Sequence, residues 1–350
     1  MRKEPAMEPI TITDPVYHPP EHPGPLDRFF LRYIRDPRDL PFLYLIIRIN
    51  LLVVPAAVYL YLPGRFSWWL FPPYAALLLF FTGPYLLMLH NTSHRPLFKR
   101  QYRTLNKYIP WALGPLFGQT PESFFAHHVG MHHAENNLRD DISSTMPYHR
   151  DRFLQFVGYN LRFALGSYVE LAGYFHRRRR YKLMRGMLAG ELAVLAIVVA
   201  LAFVNWQATL VVLVWPLVNC RWAVMATNWA QHAFIDPKSY DDPYGYSITL
   251  INCAYNRRCF NDGYHIGHHV RMTRHWTEMP GDFEAHREEY ARRDAVVFEG
   301  IDYLGVWLLL MLKRYDKLAD RFVQLGPVRR SREEIMQLLE SRTLPVAPAA

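Results

Sequence analysis

Cysteine is scarce in this chain: its 350 residues include three, Cys220, Cys253 and Cys259. An odd count, with Cys220 inside an apolar block, argues against a disulfide framework. Residues 1–25 are rich in proline and charge and contain no apolar run. We therefore expect no cleavable signal peptide.

Long apolar runs, in contrast, are plentiful. The chain is 51% hydrophobic and 15% aromatic, yet it is also 20% charged with a net charge of +9. The apolar residues gather in blocks separated by strongly polar blocks, which indicates an integral membrane protein with a sizeable water-facing part. A positive balance suits nucleic acid or an anionic membrane surface. Because spanning segments are present, we expect contact with the lipid bilayer and no nucleic-acid partner.

Four apolar stretches are long enough to cross a membrane, since about 20 residues cover a hydrocarbon core of about 30 Å. They are residues 41–62, 67–89, 187–204 and 207–227. The links between the first two and between the last two are very short, so the stretches predict two hairpins. Residues 108–119 are too short to span and are expected to be re-entrant or interfacial.

The predicted fold class is all-α: four transmembrane helices in two hairpins, capped by a cytoplasmic helical domain. The cap comprises residues 90–186 and 228–325, within a domain of residues 27–325. We expect residues 1–26 to form a disordered leader and 326–350 to form a C-terminal helix and tail. Arginine-rich flanks, above all Arg177–Arg180, place both termini and the cap of this multi-pass protein in the cytoplasm.

Nine histidines fall into four spaced sets, three of which have helical spacing. Residues three or four apart share a helix face, so the rings of each set can converge. Any one of these histidines alone would be expected to be structural or exposed. Nine in four sets exceed the four ligands of one structural zinc and predict a site for two metals; neutral nitrogen ligands suit iron, copper or zinc. The histidines are His90 and His94 (HxxxH), His128, His132 and His133 (HxxxHH), His232, and His265, His268 and His269 (HxxHH).

Several residues near these sets are candidates for the metal site or its surroundings. His127 points off the face of its set and His275 lies six residues beyond the last set, so neither is a predicted ligand. Metal-bound histidines usually donate their other ring N–H to an acceptor. The acidic residues close enough in sequence to accept are Glu135, Asp140, Asp141 and Asp262. Trp229 and Gln231 flank His232 and are candidates for either a substrate channel or the packed core.

The four sets resemble the histidine boxes of the integral-membrane fatty acid desaturase and hydroxylase superfamily, over about residues 40–280. The resemblance implies a non-haem centre of two irons, with O2 as co-substrate. In the acyl-CoA desaturases an NxxxH motif follows the fourth membrane helix, and its asparagine holds a metal through water. Asn228 and His232 stand at that spacing here, so Asn228 joins the predicted metal site.

Two departures concern the substrate carrier and the electron donor. The first box is one residue shorter than in acyl-CoA desaturases and resembles the acyl-lipid branch, which leaves the carrier open. The third box begins with His265 and not with the glutamine of front-end desaturases. We also expect no fused cytochrome b5 domain, because His22-Pro23-Gly24 is similar to part of its haem-binding motif but Pro25 interrupts it. We therefore expect electrons from a separate donor such as a ferredoxin or cytochrome b5.

The implied activity is the introduction of a double bond into a long acyl chain carried on a lipid or coenzyme A. The alternative within the superfamily is a lipid or alkane hydroxylase or a ketolase, which inserts oxygen. A bis-histidine haem carrier would need its ligands across the bilayer interior rather than at helix ends. A metal transporter would need polar residues along a path at mid-membrane depth, where the sequence offers little beyond Arg48 and Asn50.

Overall fold

The computed structural model describes residues 10–326 and 329–346 and is mostly helical. The α-helices, numbered α1 to α16, are Pro25–Leu31, Leu40–Tyr61, Phe71–His94, Ser123–His127, His133–Glu135, Phe153–Arg177, Tyr181–Thr209, Trp215–Gln231, Pro243–Tyr246, Ala254–Arg258, His265–Val270, Met279–Ala285, Arg287–Arg292, Tyr303–Met311, Tyr315–Ala319 and Arg332–Ser341. Three π-helical segments are Ile109–Leu113, His128–His132 and Leu210–Val214. The 3-10 segments are Pro37–Asp39, Trp68–Leu70, Arg100–Lys107, Gly114–Phe117 and Trp276–Glu278.

A small sheet corrects the all-α expectation. β1 (Ile248–Ile251) and β2 (Val296–Glu299) pair in parallel, with Ile248 opposite Val296. All four residues of β1 are buried. Periodicity alone does not separate such a short apolar run from a buried piece of helix.

Among the described residues, three helical stretches are long and apolar enough to cross a membrane: Pro37–Tyr61, Trp68–His94 and Tyr181–Gln231. The first two agree with the predicted spans at 41–62 and 67–89. The third has 51 residues, which as a straight helix would measure about 77 Å, more than twice the hydrocarbon thickness. Its regular geometry breaks at Asn205 (φ −158°, ψ 100°), where the sequence predicts the link of the second hairpin. The count of four spans itself stays a prediction.

Asn205 also begins the helix that follows the break. Its side-chain oxygen accepts a hydrogen bond from the backbone N–H of Ala208 at 3.0 Å. This is the bond that an N-cap asparagine makes to the third residue of a helix. The break is therefore encoded locally by a residue suited to start a new helix.

The chain divides into two compact units. The span unit comprises residues 17–130 and 168–223, and the C-terminal unit comprises residues 10–16, 131–167, 224–326 and 329–346. The predicted domain boundaries at 27, 325 and 326 stay predictions, although α16 lies where the sequence analysis places a C-terminal helix.

Within the span unit, residues 108–119, which were expected to be re-entrant or interfacial, pack among the apolar helices. The hydroxyl of Tyr85, on α3, donates to the backbone carbonyl of Ile109 at 2.9 Å. The rings of Tyr85 and Phe117 stack with centroids 4.2 Å apart. Ile109, Leu113 and Phe117 are all buried, as a re-entrant segment surrounded by protein requires.

The core of the C-terminal unit forms around Trp229, which is fully buried among aromatic neighbours. Its indole N–H donates to the backbone carbonyl of Arg150 at 2.9 Å. Trp229 therefore belongs to the packed core, the second of the two alternatives left open for it. The Arg150 side chain is itself fully buried. It donates to backbone carbonyls from distant parts of the chain, including those of Ala233 at 2.9 Å and Arg342 at 3.0 Å.

Part of the expected leader is ordered in the C-terminal unit. Residues 1–9 lie outside the described residues, but residues 10–16 belong to this unit. Asp14 is buried, and its carboxylate accepts hydrogen bonds from the Asn252 backbone at 2.7 Å, the Asn256 amide at 2.9 Å and the Tyr264 hydroxyl at 2.7 Å. The sequence predicted disorder because the segment is rich in proline, and composition does not reveal that one aspartate becomes buried and anchors it.

Candidate metal centre

Four of the predicted ligands converge inside the C-terminal unit. One nitrogen from each of His132, His232, His265 and His269 lies within 4.8 Å of the other three, and all four residues are buried. The Nε2 atoms of His265 and His232 are 3.3 Å apart, and those of His269 and His265 are 3.0 Å apart. We call these four residues the tetrad.

Local structure explains how the tetrad is assembled. His265 and His269 are four residues apart on α11 and share one face. His232 follows the last residue of α8, and its backbone carbonyl accepts a hydrogen bond from the Thr145 hydroxyl at 2.7 Å. His132 ends the π-helical segment of box two. Such π-helical turns often occur at functional sites, because the extra residue per turn re-aims the side chains.

The outer nitrogens of three tetrad rings are held by acceptors. The Nδ1 atom of His132 lies 2.6 Å from the carboxylate of Asp141, and that of His232 lies 2.9 Å from the backbone carbonyl of Tyr246. The Tyr246 hydroxyl donates to Asn136 at 3.1 Å, so its oxygen can accept from Nδ1 of His269 at 3.3 Å. A hydrogen on Nδ1 leaves the lone pair on Nε2, the nitrogen that faces the other rings.

Burial keeps two of the tetrad rings neutral, which is the form that binds a metal. Burial and then the neighbouring His132 lower the pKa of His232 to about 3. Burial, reinforced by the surrounding imidazoles, lowers the pKa of His269 well below its ordinary value. Both rings are therefore neutral at neutral pH, as metal binding requires.

The four nitrogens of the tetrad suit a metal ion. Lone pairs on nitrogens about 3 Å apart repel one another, whereas a cation placed among them would satisfy all of them. Four buried imidazoles, three of them with their outer nitrogens held by acceptors, are what a histidine-ligated transition metal needs.

A pair of histidines adjoins the tetrad in the same unit. The Nε2 atoms of His133 and His268 lie 2.8 Å apart. The ring of His133 is 4.7 Å from that of His269, centroid to centroid. Both residues of the pair are buried, so the pair is also placed for metal binding.

The span unit brings the remaining three histidines together. His90 and His94 occupy the last turn of α3, and His128 begins the π-helical segment. Ring centroids are 5.1 Å apart for His90 and His94, 4.5 Å for His90 and His128, and 5.1 Å for His94 and His128. One nitrogen from each lies within 4.8 Å of the others. We call these three residues the trio.

Asn228 lies one turn before His232 and is buried. Its amide nitrogen donates to the backbone carbonyl of Ser143 at 3.1 Å and to the hydroxyl of Tyr159 at 2.7 Å. These bonds fix the orientation of the amide, so that its oxygen is the end suited to hold a water. Its role as a water-mediated ligand stays a prediction.

The other candidate residues near the boxes differ in what they contact. The carboxylate of Asp141 lies 2.6 Å from the ring of the predicted ligand His132, whereas that of Asp262 accepts hydrogen bonds from Tyr255 at 2.7 Å and Gln231 at 3.4 Å. Among the described residues, His127 and His275 belong to neither histidine group. The contribution of Tyr246 was missed, because it acts partly through its backbone carbonyl, 14 residues beyond His232, and no residue pattern marks it.

The chain thus combines apolar helices of membrane-spanning length with two groups of converging imidazoles that could hold metal ions. The model of the fatty acid desaturase family matches residues 66–300, about two-thirds of the chain and all four boxes. The chain therefore belongs to the fatty acid desaturase family. None of the curated proteins compared with it matches.

Proposed function

We propose that this protein is a membrane-bound non-haem di-iron oxygenase that introduces a double bond into a long acyl chain. The reaction consumes one O2, two electrons and two protons, and it converts a CH2–CH2 unit into CH=CH with release of two waters. Membership of the family supports this activity, and the observation that carries it is the tetrad of four buried, converging histidines.

The proposed cofactor is a pair of irons, which supply the oxidising chemistry when bound. All nine box histidines serve as their ligands, and Asn228 contributes through water. The chain's own task is to hold the rings in the correct tautomer and to keep them buried, as Asp141 and Tyr246 do for the tetrad. The electrons come from a separate donor, a ferredoxin, cytochrome b5 or similar protein.

The proposed setting is a multi-pass membrane protein with both termini and the metal centre in the cytoplasm. Three apolar helical stretches support membrane association. The break at Asn205 supports division of the third stretch into two spans. The arginine run Arg177–Arg180 before α7 supports a cytoplasmic location for that end of the helix.

Product analysis tests the reaction. The wild-type chain and His268→Ala are each expressed in a host of known lipid composition, and the lipids are compared by mass spectrometry. We expect new acyl chains two hydrogens lighter with the wild type and none with the variant. A gain of one oxygen would instead establish the hydroxylase or ketolase alternative, and unchanged lipids in the presence of bound iron and a working donor would contradict both.

Metal analysis tests the cofactor separately. We expect two irons per chain in the purified wild type. His128→Ala should lower the iron content, whereas the adjacent substitution His127→Ala should not. Full iron binding by His128→Ala, or zinc as the native metal, would overturn the di-iron proposal.

A further inference from the structure

The span unit contains a groove that none of the histidine boxes lines. It has a volume of about 410 Å³, within the range of about 300–1,000 Å³ typical of ligand pockets. Its walls come from the segment 107–125 on one side and the first turns of α7 on the other. The lining residues are Lys107, Trp111, Glu122, Phe125, Lys182, Leu183, Gly186 and Ala189.

Small residues on α7 create the groove. A Cβ atom at Gly190 would lie 1.9 Å from the backbone carbonyl oxygen of Pro121, so helix and segment touch there. One turn earlier, Gly186 leaves a gap, since the nearest side-chain atoms to a Cβ there, from Glu122, would be 3.9 Å away. Trp111 and Phe125 form apolar walls and are each more than one-third exposed. The groove is therefore open at its side and apolar along its length.

Charged residues line the rim. The ammonium group of Lys107 lies 2.7 Å from the Glu122 carboxylate and 5.6 Å from the centroid of the Trp111 ring. The Trp111 indole N–H donates to the same carboxylate at 2.9 Å. Burial opposes ionisation of Glu122, but these hydrogen bonds outweigh it and hold the pKa of the carboxyl below its ordinary value. Two lysines against one carboxylate leave the rim net positive, and the exposed run Arg177–Arg180 lies just before Lys182.

The order of charge and apolar surface along α7 matches an anionic lipid. Lys182 is the second residue of the helix, and Ala189 lies seven residues further, about 10 Å along the axis. A helix that enters the membrane after an arginine run therefore places Lys182 among the headgroups and the groove beside the upper acyl chains. Basic pockets at the cytoplasmic ends of membrane helices are suited to phosphate headgroups.

We propose that this groove binds one anionic phospholipid of the cytoplasmic leaflet, with an acyl chain along Trp111, Phe125 and Leu183 and the phosphate beside Lys182 and Lys107. The lipid is a bound component and not the substrate. The inference shares the membrane orientation of the proposed function but not its chemistry, because no groove residue is a proposed metal ligand.

Native mass spectrometry of the delipidated full-length protein tests the site. The probes are phosphatidylglycerol and phosphatidylcholine with the same acyl chains. We expect the wild type to bind phosphatidylglycerol at least fivefold more tightly. Lys182→Gln should remove most of that preference, whereas Lys238→Gln, at an exposed lysine of the C-terminal unit, should keep it. Gly186→Leu, which fills the groove, should weaken binding of both lipids.

Photo-crosslinking locates the bound lipid. Phosphatidylglycerol with a diazirine in its acyl chain should label peptides that contain Phe125 or Leu183. Three outcomes would each overturn the site: equal affinity for the two headgroups, identical behaviour of Lys182→Gln and Lys238→Gln, or labelling confined to other peptides. Recovery of the bound lipid with a new double bond would show that the groove admits substrate, and that would also overturn the proposal. Iron content of each variant, measured in parallel, shows whether the metal centre has survived independently of lipid binding.

Discussion

Asp141 shows how much one residue contributes to the metal centre without being a ligand. Its carboxylate is buried and accepts from the His132 ring at 2.6 Å, from the backbone N–H of Ser143 at 2.8 Å and from the Ser143 hydroxyl at 2.6 Å. It therefore fixes both the tautomer of His132 and the loop that follows box two. The loop carbonyl of Ser143 in turn receives the amide of Asn228.

Replacement of Asp141 by asparagine should weaken metal binding while the protein still folds. The amide cannot match the charge that stabilises the His132 N–H, and loss of such a partner typically lowers metal affinity about 10- to 100-fold. Iron per chain after dialysis against a weak chelator measures the effect. Asp140→Asn is the matched control, because Asp140 is the adjacent carboxylate and is exposed. Equal iron retention by the two variants would remove the proposed role of Asp141.

The residues differ in how well sequence identifies them. Box spacing selected six of the seven histidines of the tetrad and the trio, because a helix of known period brings such residues to one face, whereas His232 was selected through the NxxxH motif. Asp141 was one of four acidic candidates, and proximity in sequence could not choose among them. Tyr246 was not predictable, since a backbone carbonyl acts through the path of the chain and not through residue type.

Length and composition predicted the helices whose position depends only on their own sequence. The apolar run 41–62 gives both ends of α2 to within one residue, whereas α3 begins four residues after and ends five residues after the predicted span 67–89. α16 follows from a charged helix pattern that begins at the capping box of Ser331 and Glu334. β1 and β2 were missed because their pairing joins strands more than 40 residues apart. Contacts between segments that are distant in sequence were not predicted either.

The contact of Gly190 with Pro121 is one such case. A methyl group at residue 190 would overlap the Pro121 carbonyl and push α7 away from the segment before box two. Gly190→Ala should therefore destabilise the protein by about 1–3 kcal/mol. Gly158→Ala, on α6 with open space around its Cβ, should be neutral or stabilise by up to about 1 kcal/mol, because alanine favours helices. Thermal unfolding of both variants in the same detergent measures the difference, and similar melting temperatures would contradict the close packing.

The ordered segment around Asp14 is the other case. Alanine at residue 14 removes the acceptor of two buried side-chain donors, Asn256 and Tyr264, at a cost of about 2–4 kcal/mol. A thiol-reactive dye should detect earlier exposure of Cys253, whose backbone N–H also bonds to Asp14 at 3.3 Å. Glu21→Ala, at an exposed carboxylate of the same leader, should leave the melting curve unchanged. If Asp14→Ala melts like Glu21→Ala, the segment does not hold the loop before box three.

At the scale of the whole molecule, the four boxes are dispersed through a long chain. The trio belongs to the span unit and the tetrad to the C-terminal unit, and the family match at residues 66–300 covers both. A single metal centre can serve one reaction only if every box is on the same side of the membrane. The proposed orientation is therefore a requirement of the proposed chemistry.

Cysteine labelling in intact cells tests that orientation. Arg65→Cys places a thiol in the exposed turn between α2 and the Trp68–Leu70 segment, and Lys238→Cys places one in the exposed loop six residues beyond His232. The native cysteines should contribute little background, because all three are buried and burial raises the pKa of Cys253 to about 11. A membrane-impermeant maleimide should label Arg65→Cys in intact cells, and Lys238→Cys only after the membrane is permeabilised. Labelling of Lys238→Cys from outside would place the loop after His232 outside the cell, where the reducing carriers that supply electrons in the cytoplasm cannot reach the metal centre.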